Sequence, residues 1–140
     1  MSDVAGTTQL KAALSQLETA LMLYLDGNDF LSVITLAGAA ENLLGPMVKE
    51  MGGAHSLAGN AKAYAWLVER FHGVAIDERA ATTDLNDARD WLKHYKPGSL
   101  MGFDSKVRAQ EMLERAVYNA LFLTGNETGL MRRFHLASRT

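Results

Sequence analysis

Apolar residues recur along this chain at intervals of three and four positions, the repeat of a helix that faces a core on one side. The first such stripe consists of Leu10, Leu14, Leu17, Leu21 and Tyr24. It predicts a helix over about residues 8–25. No stretch shows the period-two alternation that is typical of a half-buried strand. The pattern therefore predicts an all-α protein.

The same pattern predicts further helices over about residues 30–51, 61–72, 85–94, 105–123 and, more briefly, 130–137. Asn28 or Asp29 is suited to cap the second helix, and Thr82 or Thr83 the helix at 85–94. Pro46 either kinks the second helix or ends its regular part near Leu44. Because the connections are short, we expect an up-and-down bundle of four to five helices.

Composition narrows the class of protein. The 140 residues predict a single domain over 1–140, and the absence of cysteine excludes disulfides and thiolate chemistry. The first residues lack the basic and apolar segments of a signal peptide. Residues 30–48 are the most apolar, but polar side chains interrupt them, so we expect a buried helix and no membrane span. Together these features predict a cytoplasmic protein, and its net charge of −2 argues against a large nucleic-acid surface.

The helix predicted at residues 85–94 carries the candidate chemistry. Arg89 offers a fork of donors suited to phosphate oxygens, and His94 is the kind of side chain that exchanges a proton near neutral pH. With no cluster of metal ligands in the sequence, this pair suggests chemistry on a phosphodiester without a metal. An Arg and a His at this spacing also occur by chance, and cations are favoured near a helix C-terminus in any case.

The spacing of the pair limits how it can act. Two residues five positions apart lie about 140° apart around a regular helix. Arg89 and His94 can converge if the helix unwinds at His94 before Pro97. Alternatively, a second subunit related by a two-fold axis can supply the missing partner.

The segment Arg89-Asp90-Trp91-Leu92-Lys93-His94 resembles the motif of the HEPN family, the "higher eukaryotes and prokaryotes nucleotide-binding" domain, in which Arg and a polar residue precede a His. Asn86, one turn earlier, and Lys93 are similar to a bacterial subgroup of small HEPN proteins. The stretch from Ser32 to Gly45 resembles the second helix of that subgroup. The resemblance covers about residues 17–96.

The resemblance implies a helical bundle that dimerises along the Arg/His helices. Many HEPN proteins are metal-independent endoribonucleases, several of them toxins with an antitoxin partner. Carried onto this chain, it implies that His94 is a general acid or base and that Arg89 stabilises phosphoryl oxygens. Asp90 would orient one of the pair or the RNA. The expected partners are a second copy of the chain, RNA or a nucleotide, and an antitoxin or other partner protein, with no cofactor.

One departure concerns that partner. In toxins paired with a nucleotidyltransferase antitoxin, a Tyr commonly lies two residues after the His, whereas here Tyr95 follows His94 directly. We count Tyr95 with Asn86, Lys93 and Glu41 as candidate binding residues. An acid such as Glu41 in an apolar helix needs a partner or water. One alternative is that Glu41 faces Arg89 or His94. The other is that it lies on the exposed strip of its helix or in a purely structural ion pair.

Two functions from different classes follow. The first is a metal-independent endoribonuclease with an Arg/His site shared between two protomers. The second is a non-catalytic HEPN-like dimer that binds a nucleotide or a protein. The intact Arg-polar-His pattern favours the first, and the net negative charge favours the second. A helical dimer with no small ligand is a third interpretation, which would be supported if Arg89 and His94 were both sealed in salt bridges.

Overall fold

The computed structural model describes residues 6–52, Trp66, Glu69 and residues 78–138, with the backbone alone for residues 78–85. Within these residues there are five α-helices and no strand, which confirms the predicted all-α bundle. The helix predicted over residues 61–72 falls outside the described residues, except that Trp66 and Glu69 are helical.

The helices are α1 (Gln9–Met22), which continues into a π-helical turn (Leu23–Gly27), α2 (Phe30–Glu50), α3 (Glu78–Lys93), α4 (Ser105–Thr124) and α5 (Gly129–Ser138). Helix α2 is central, since it packs on both α1 and α4. Helix α3 lies against α2 and α4, and α5 lies against α1. The completely buried side chains of the core include Leu17, Ile34, Leu44, Leu113 and Phe134.

Short polar side chains begin two of these helices. Asp29 is the N-cap of α2, and its Oδ1 accepts the Ser32 amide at 3.3 Å. Asn28, immediately before it, has a positive φ of 53°, a conformation that Asn tolerates better than most residues. Asp104 caps α4 by accepting the Val107 amide at 3.1 Å, and Gly125 ends that helix at φ 64°. Asp29 thus marks the turn between α1 and α2, Asp104 marks the start of α4, and Gly125 marks the turn between α4 and α5.

The predicted range of about residues 30–51 for α2 is confirmed, but one of the two alternatives for Pro46 and the predicted start of α3 are wrong. Helix α2 does not end its regular part near Leu44 but continues through Pro46 to Glu50, because Leu44 and Val48 are both buried and hold it in the core. Helix α3 begins at Glu78, so Thr82 and Thr83 lie inside it and cannot be its N-cap. The Glu-Arg-Ala-Ala sequence that precedes them has a high helix propensity, which outweighs a local capping signal.

Among the described residues, α2 is the one helix long and apolar enough to cross a membrane by length and composition. A core helix of a water-soluble protein passes the same test, and seven residues of α2 are buried in the bundle.

The Asp104 cap gives a first prediction. Replacing Asp104 by Ala removes the acceptor for the Val107 amide and should lower the free energy of unfolding by about 1 kcal/mol. Asp104→Ser, which restores a capping oxygen, should recover most of that loss. Urea unfolding followed by circular dichroism measures both. Equal stability of the Ala variant and the wild type would show that the cap contributes nothing.

Candidate functional site

Arg89 lies at the centre of the candidate site, on the flank of α3 that meets α2. Its side chain is only 18% exposed, so its position is set by the protein around it. The aliphatic stem passes over Gly38 of α2, where an added Cβ would come within 2.9 Å of the Arg89 Cδ. Such a distance is closer than real Cβ contacts, so the glycine is what allows the two helices to approach with an arginine between them.

The guanidinium of Arg89 is held by two amide oxygens. Its Nη1 donates to Asn42 Oδ1 at 2.8 Å, and its Nη2 donates to Asn86 Oδ1 at 2.6 Å. Asn86 lies one turn before Arg89 on the same helix, while Asn42 belongs to α2. Neutral acceptors fix the orientation of the fork without cancelling its charge. Arg89 is therefore positioned before any ligand arrives.

Glu41 joins this arginine to a second one. Its Oε2 lies 3.8 Å from Arg89 Nη1, and its Oε1 lies 3.6 Å from Arg115 Nη2 of α4. The Glu41 side chain is 17% exposed, so it has partners rather than an open position in water. The sequence left open whether Glu41 faces Arg89 or lies on an exposed strip of its helix. In the structure it faces Arg89. The three side chains together carry one net positive charge, which favours an anion at this site.

The residues of α2 around Arg89 all lie on one strip of that helix. Gly38, Glu41, Asn42 and Gly45 follow the spacing of three and four positions that places residues on one helix face. A Cβ at Gly45 would lie 3.2 Å from Glu41 Oε1, so this glycine also leaves room for a polar partner. Pro46, next in the chain, has no N–H to give to the Asn42 carbonyl. The most apolar of the described helices thus carries polar and small residues at the place where Arg89 packs against it.

His94 is placed differently from Arg89. Its side chain is exposed, and its amide still donates to the Asp90 carbonyl at 3.0 Å, as in a regular helix. Helix α3 ends at Lys93 and the chain bends at His94, and the Arg89 and His94 side chains make no contact within one protomer. The helix thus ends where the sequence allowed it to unwind, but this does not bring His94 into contact with Arg89. The third interpretation gains no support from this protomer, because Arg89 is paired with Glu41 whereas His94 is exposed.

The remaining candidates lie around His94. Asp90, Lys93 and Tyr95 are all exposed, and Tyr95 is 90% exposed. Within the described part of the chain none of the three side chains contacts Arg89, whereas Asn86 binds it directly. The structure thus separates the candidates into an anchored group around Arg89 and an exposed group around His94.

Three residues of the anchored group were missed by reasoning from the sequence: Gly38, Asn42 and Arg115. Asn42 could have been found, because it adjoins Glu41 in a helix that is otherwise apolar. Gly38 and Arg115 carried no comparable signal, since their role depends on how α3 and α4 lie against α2. Among the described residues there is no group of three or more His, Asp and Glu side chains suited to a metal ion.

Comparison with protein-family models, with curated proteins and with solved structures finds no match to this chain.

The close approach at Gly38 gives a second prediction. Gly38→Ala should lower the free energy of unfolding by about 1–3 kcal/mol, because the new methyl group overpacks the Arg89 stem. In an Arg89→Ala background the same substitution should become neutral or stabilising by up to about 1 kcal/mol, since Ala favours a helix more than Gly. Urea unfolding of the four proteins measures this coupling.

Gly129→Ala is the matched control, because nothing lies within 4 Å of a Cβ there. Its effect should be the same in both backgrounds. If Gly38→Ala also has one effect in both backgrounds, the contact with Arg89 is not what requires the glycine.

Proposed function

We propose that this protein is a metal-independent endoribonuclease of the HEPN type, with a composite site formed by Arg89 of one protomer and His94 of another. The observation that carries the proposal is the fixed orientation of Arg89 between Asn42 and Asn86, five residues before an exposed histidine on the same helix. Packing alone does not require that the Arg89 guanidinium be held by two amide oxygens while His94 stays in solvent.

The dimer is part of the proposal because one protomer cannot supply both groups. Five positions correspond to about 140° around a helix, and His94 lies one residue beyond the end of α3 without contacting Arg89. A two-fold axis beside α3 would bring the exposed face of one copy toward the Arg89 flank of the other. HEPN proteins dimerise along the corresponding helix, and the resemblance supports the same arrangement here.

The chemistry would be attack of a ribose 2′-hydroxyl on the adjacent phosphorus atom. The O2′–P bond forms and the P–O5′ bond breaks, which leaves a 2′,3′-cyclic phosphate and a 5′-hydroxyl. His94 would remove the proton from the 2′-hydroxyl or supply one to the departing 5′-oxygen. Arg89 would stabilise the charge that builds on the phosphoryl oxygens. Asp90, exposed on the same side of α3 as His94, would orient the histidine or the RNA.

Glu41 and Arg115 have a supporting part in this proposal. Glu41 lies between the two arginines and limits the charge that each presents, while Arg115 raises the attraction of the site for a phosphodiester. Lys93 and Tyr95 are exposed and available to bound RNA. An antitoxin partner and a cytoplasmic location stay predictions of the sequence.

The second candidate is a HEPN-like dimer that binds a nucleotide or a protein without cleaving RNA. The net charge of −2 favours it, since ribonucleases that hold long RNA usually present more positive surface. In that case Arg89 and its amide partners would serve to bind a single phosphate group.

The third prediction tests the proposed reaction. Purified protein should cleave a mixed-sequence RNA in EDTA and leave 2′,3′-cyclic phosphate ends. His94→Ala should lower the rate at least about 100-fold, as expected for loss of a general acid or base. Arg89→Lys keeps the charge but loses the fork of donors, so it should retain only part of the activity.

Arg132→Ala is the matched control, because it removes an exposed arginine of α5 away from the site. It should leave the rate unchanged, and all variants should show the wild-type oligomeric state by size-exclusion chromatography. Cleavage that needs a divalent metal, or that survives His94→Ala, would contradict the mechanism. A folded dimer that cleaves nothing would favour the binding module.

A further inference from the structure

A groove of about 330 Å³ opens between the end of α3 and the beginning of α4. Its lining includes Asp87, Asp90, Trp91, Lys96, Phe103 and Arg108. The volume is at the lower end of the range for small-molecule sites, so one nucleotide unit fits it better than a folded partner does. We propose that this groove binds the base next to the scissile phosphate and selects bases with an exocyclic amino group: cytosine, adenine and guanine over uracil.

Two aromatic rings give the groove a preformed surface. The indole of Trp91 donates from Nε1 to the Ser99 hydroxyl, which fixes the orientation of its ring. The Phe103 ring meets Trp91 edge to face, with centroids 5.9 Å apart and an interplanar angle of 81°. Trp91 is only partly buried. Unpaired RNA bases are commonly recognised by stacking on such rings.

The charges of the groove argue for a base rather than a phosphate. Arg108 Nη1 donates to both carboxylate oxygens of Glu111 at 2.8 Å, which offsets its charge. Asp87 and Asp90 then outweigh Lys96, leaving one net negative charge in the groove. A phosphate would be repelled, whereas an amino group on a base edge donates hydrogen bonds that a carboxylate accepts. Uracil offers a carboxylate only its single N3–H, whereas an exocyclic amino group offers two hydrogens to the two neighbouring carboxylates.

The groove also lies on the correct side of α3 for the proposed reaction. Asp87, Asp90 and His94 follow one another at intervals of three and four positions, and the helix is regular as far as the His94 amide. They therefore share one face, on the flank opposite Arg89. A base held by the two carboxylates would carry its ribose toward His94. This placement of the ribose rests on the proposed ribonuclease function.

The test measures binding separately from cleavage. Dinucleotides with 2′-deoxyribose cannot be cleaved by 2′-hydroxyl attack, and the full-length protein is titrated with them while its tryptophan fluorescence is recorded. Trp66 is 3% exposed, so a ligand-dependent change reports Trp91. Dinucleotides of cytosine, adenine and guanine should quench this fluorescence and bind at least about fivefold tighter than those of uracil, the low end of the discrimination given by a carboxylate–amino contact.

Variants locate the contact. Asp87→Ala should abolish the preference over uracil, and Phe103→Leu should weaken the binding of all four bases. Glu50→Gln removes an exposed carboxylate at the far end of α2 and should leave the preference intact. Equal binding of all four bases, an unchanged preference in Asp87→Ala, or no quenching at millimolar dinucleotide would each overturn the proposal. Absence of quenching together with a changed oligomeric state in Phe103→Leu would assign the groove to a protein interface.

The two proposals fail in different ways. RNA cleavage by a protein that binds uracil as tightly as cytosine overturns base selection and leaves the ribonuclease intact. Selective binding of dinucleotides by a protein that cleaves no RNA overturns the ribonuclease and keeps the groove as a nucleotide site.

Discussion

The arrangement of this bundle around its site depends on an arginine packed between two helices. A guanidinium taken from water must find acceptors, and the neighbouring helix surface must leave space for its stem. Gly38 provides the space, since a Cβ there would lie 2.9 Å from the Arg89 Cδ. Asn42, Asn86 and Glu41 provide the acceptors. These contacts fix both the side of α3 that faces α2 and the distance between the two helices.

Once that side of α3 is fixed, the rest of its surface is determined by helix geometry. Ala88 is buried, and the face with Asp87, Asp90 and His94 points away from α2. The arginine and the histidine are thereby kept apart within one protomer, so a reaction that uses both requires a second copy. The two sides of α3 also differ in charge. There is one net positive charge around Arg89 and Arg115, and one net negative charge in the groove beside Trp91. A phosphate and a base are thus favoured at different places.

The sequence predicted the fold better than it predicted the site. Helical periodicity and the Asp29 cap are local properties, and they were sufficient for the all-α bundle and the start of α2. The predicted start of α3 was wrong because strong helix formers precede the threonines and form its first turn. The contact of Glu41 with Arg89 was one of several alternatives, since an acid in an apolar helix needs a partner but does not identify it. Gly38 and Arg115 could not be predicted, because their part in the site exists only once three helices have packed together.

The shared site is the central claim, and mixing two inactive variants tests it most directly. Arg89→Ala and His94→Ala proteins are unfolded together, refolded as a mixture and assayed for RNA cleavage in EDTA. Random pairing makes half of the dimers mixed, and each mixed dimer has one intact site out of two. About one quarter of the wild-type activity should therefore return. If mixed dimers form and no activity returns, Arg89 and His94 do not act across a two-fold interface, and the composite site is wrong.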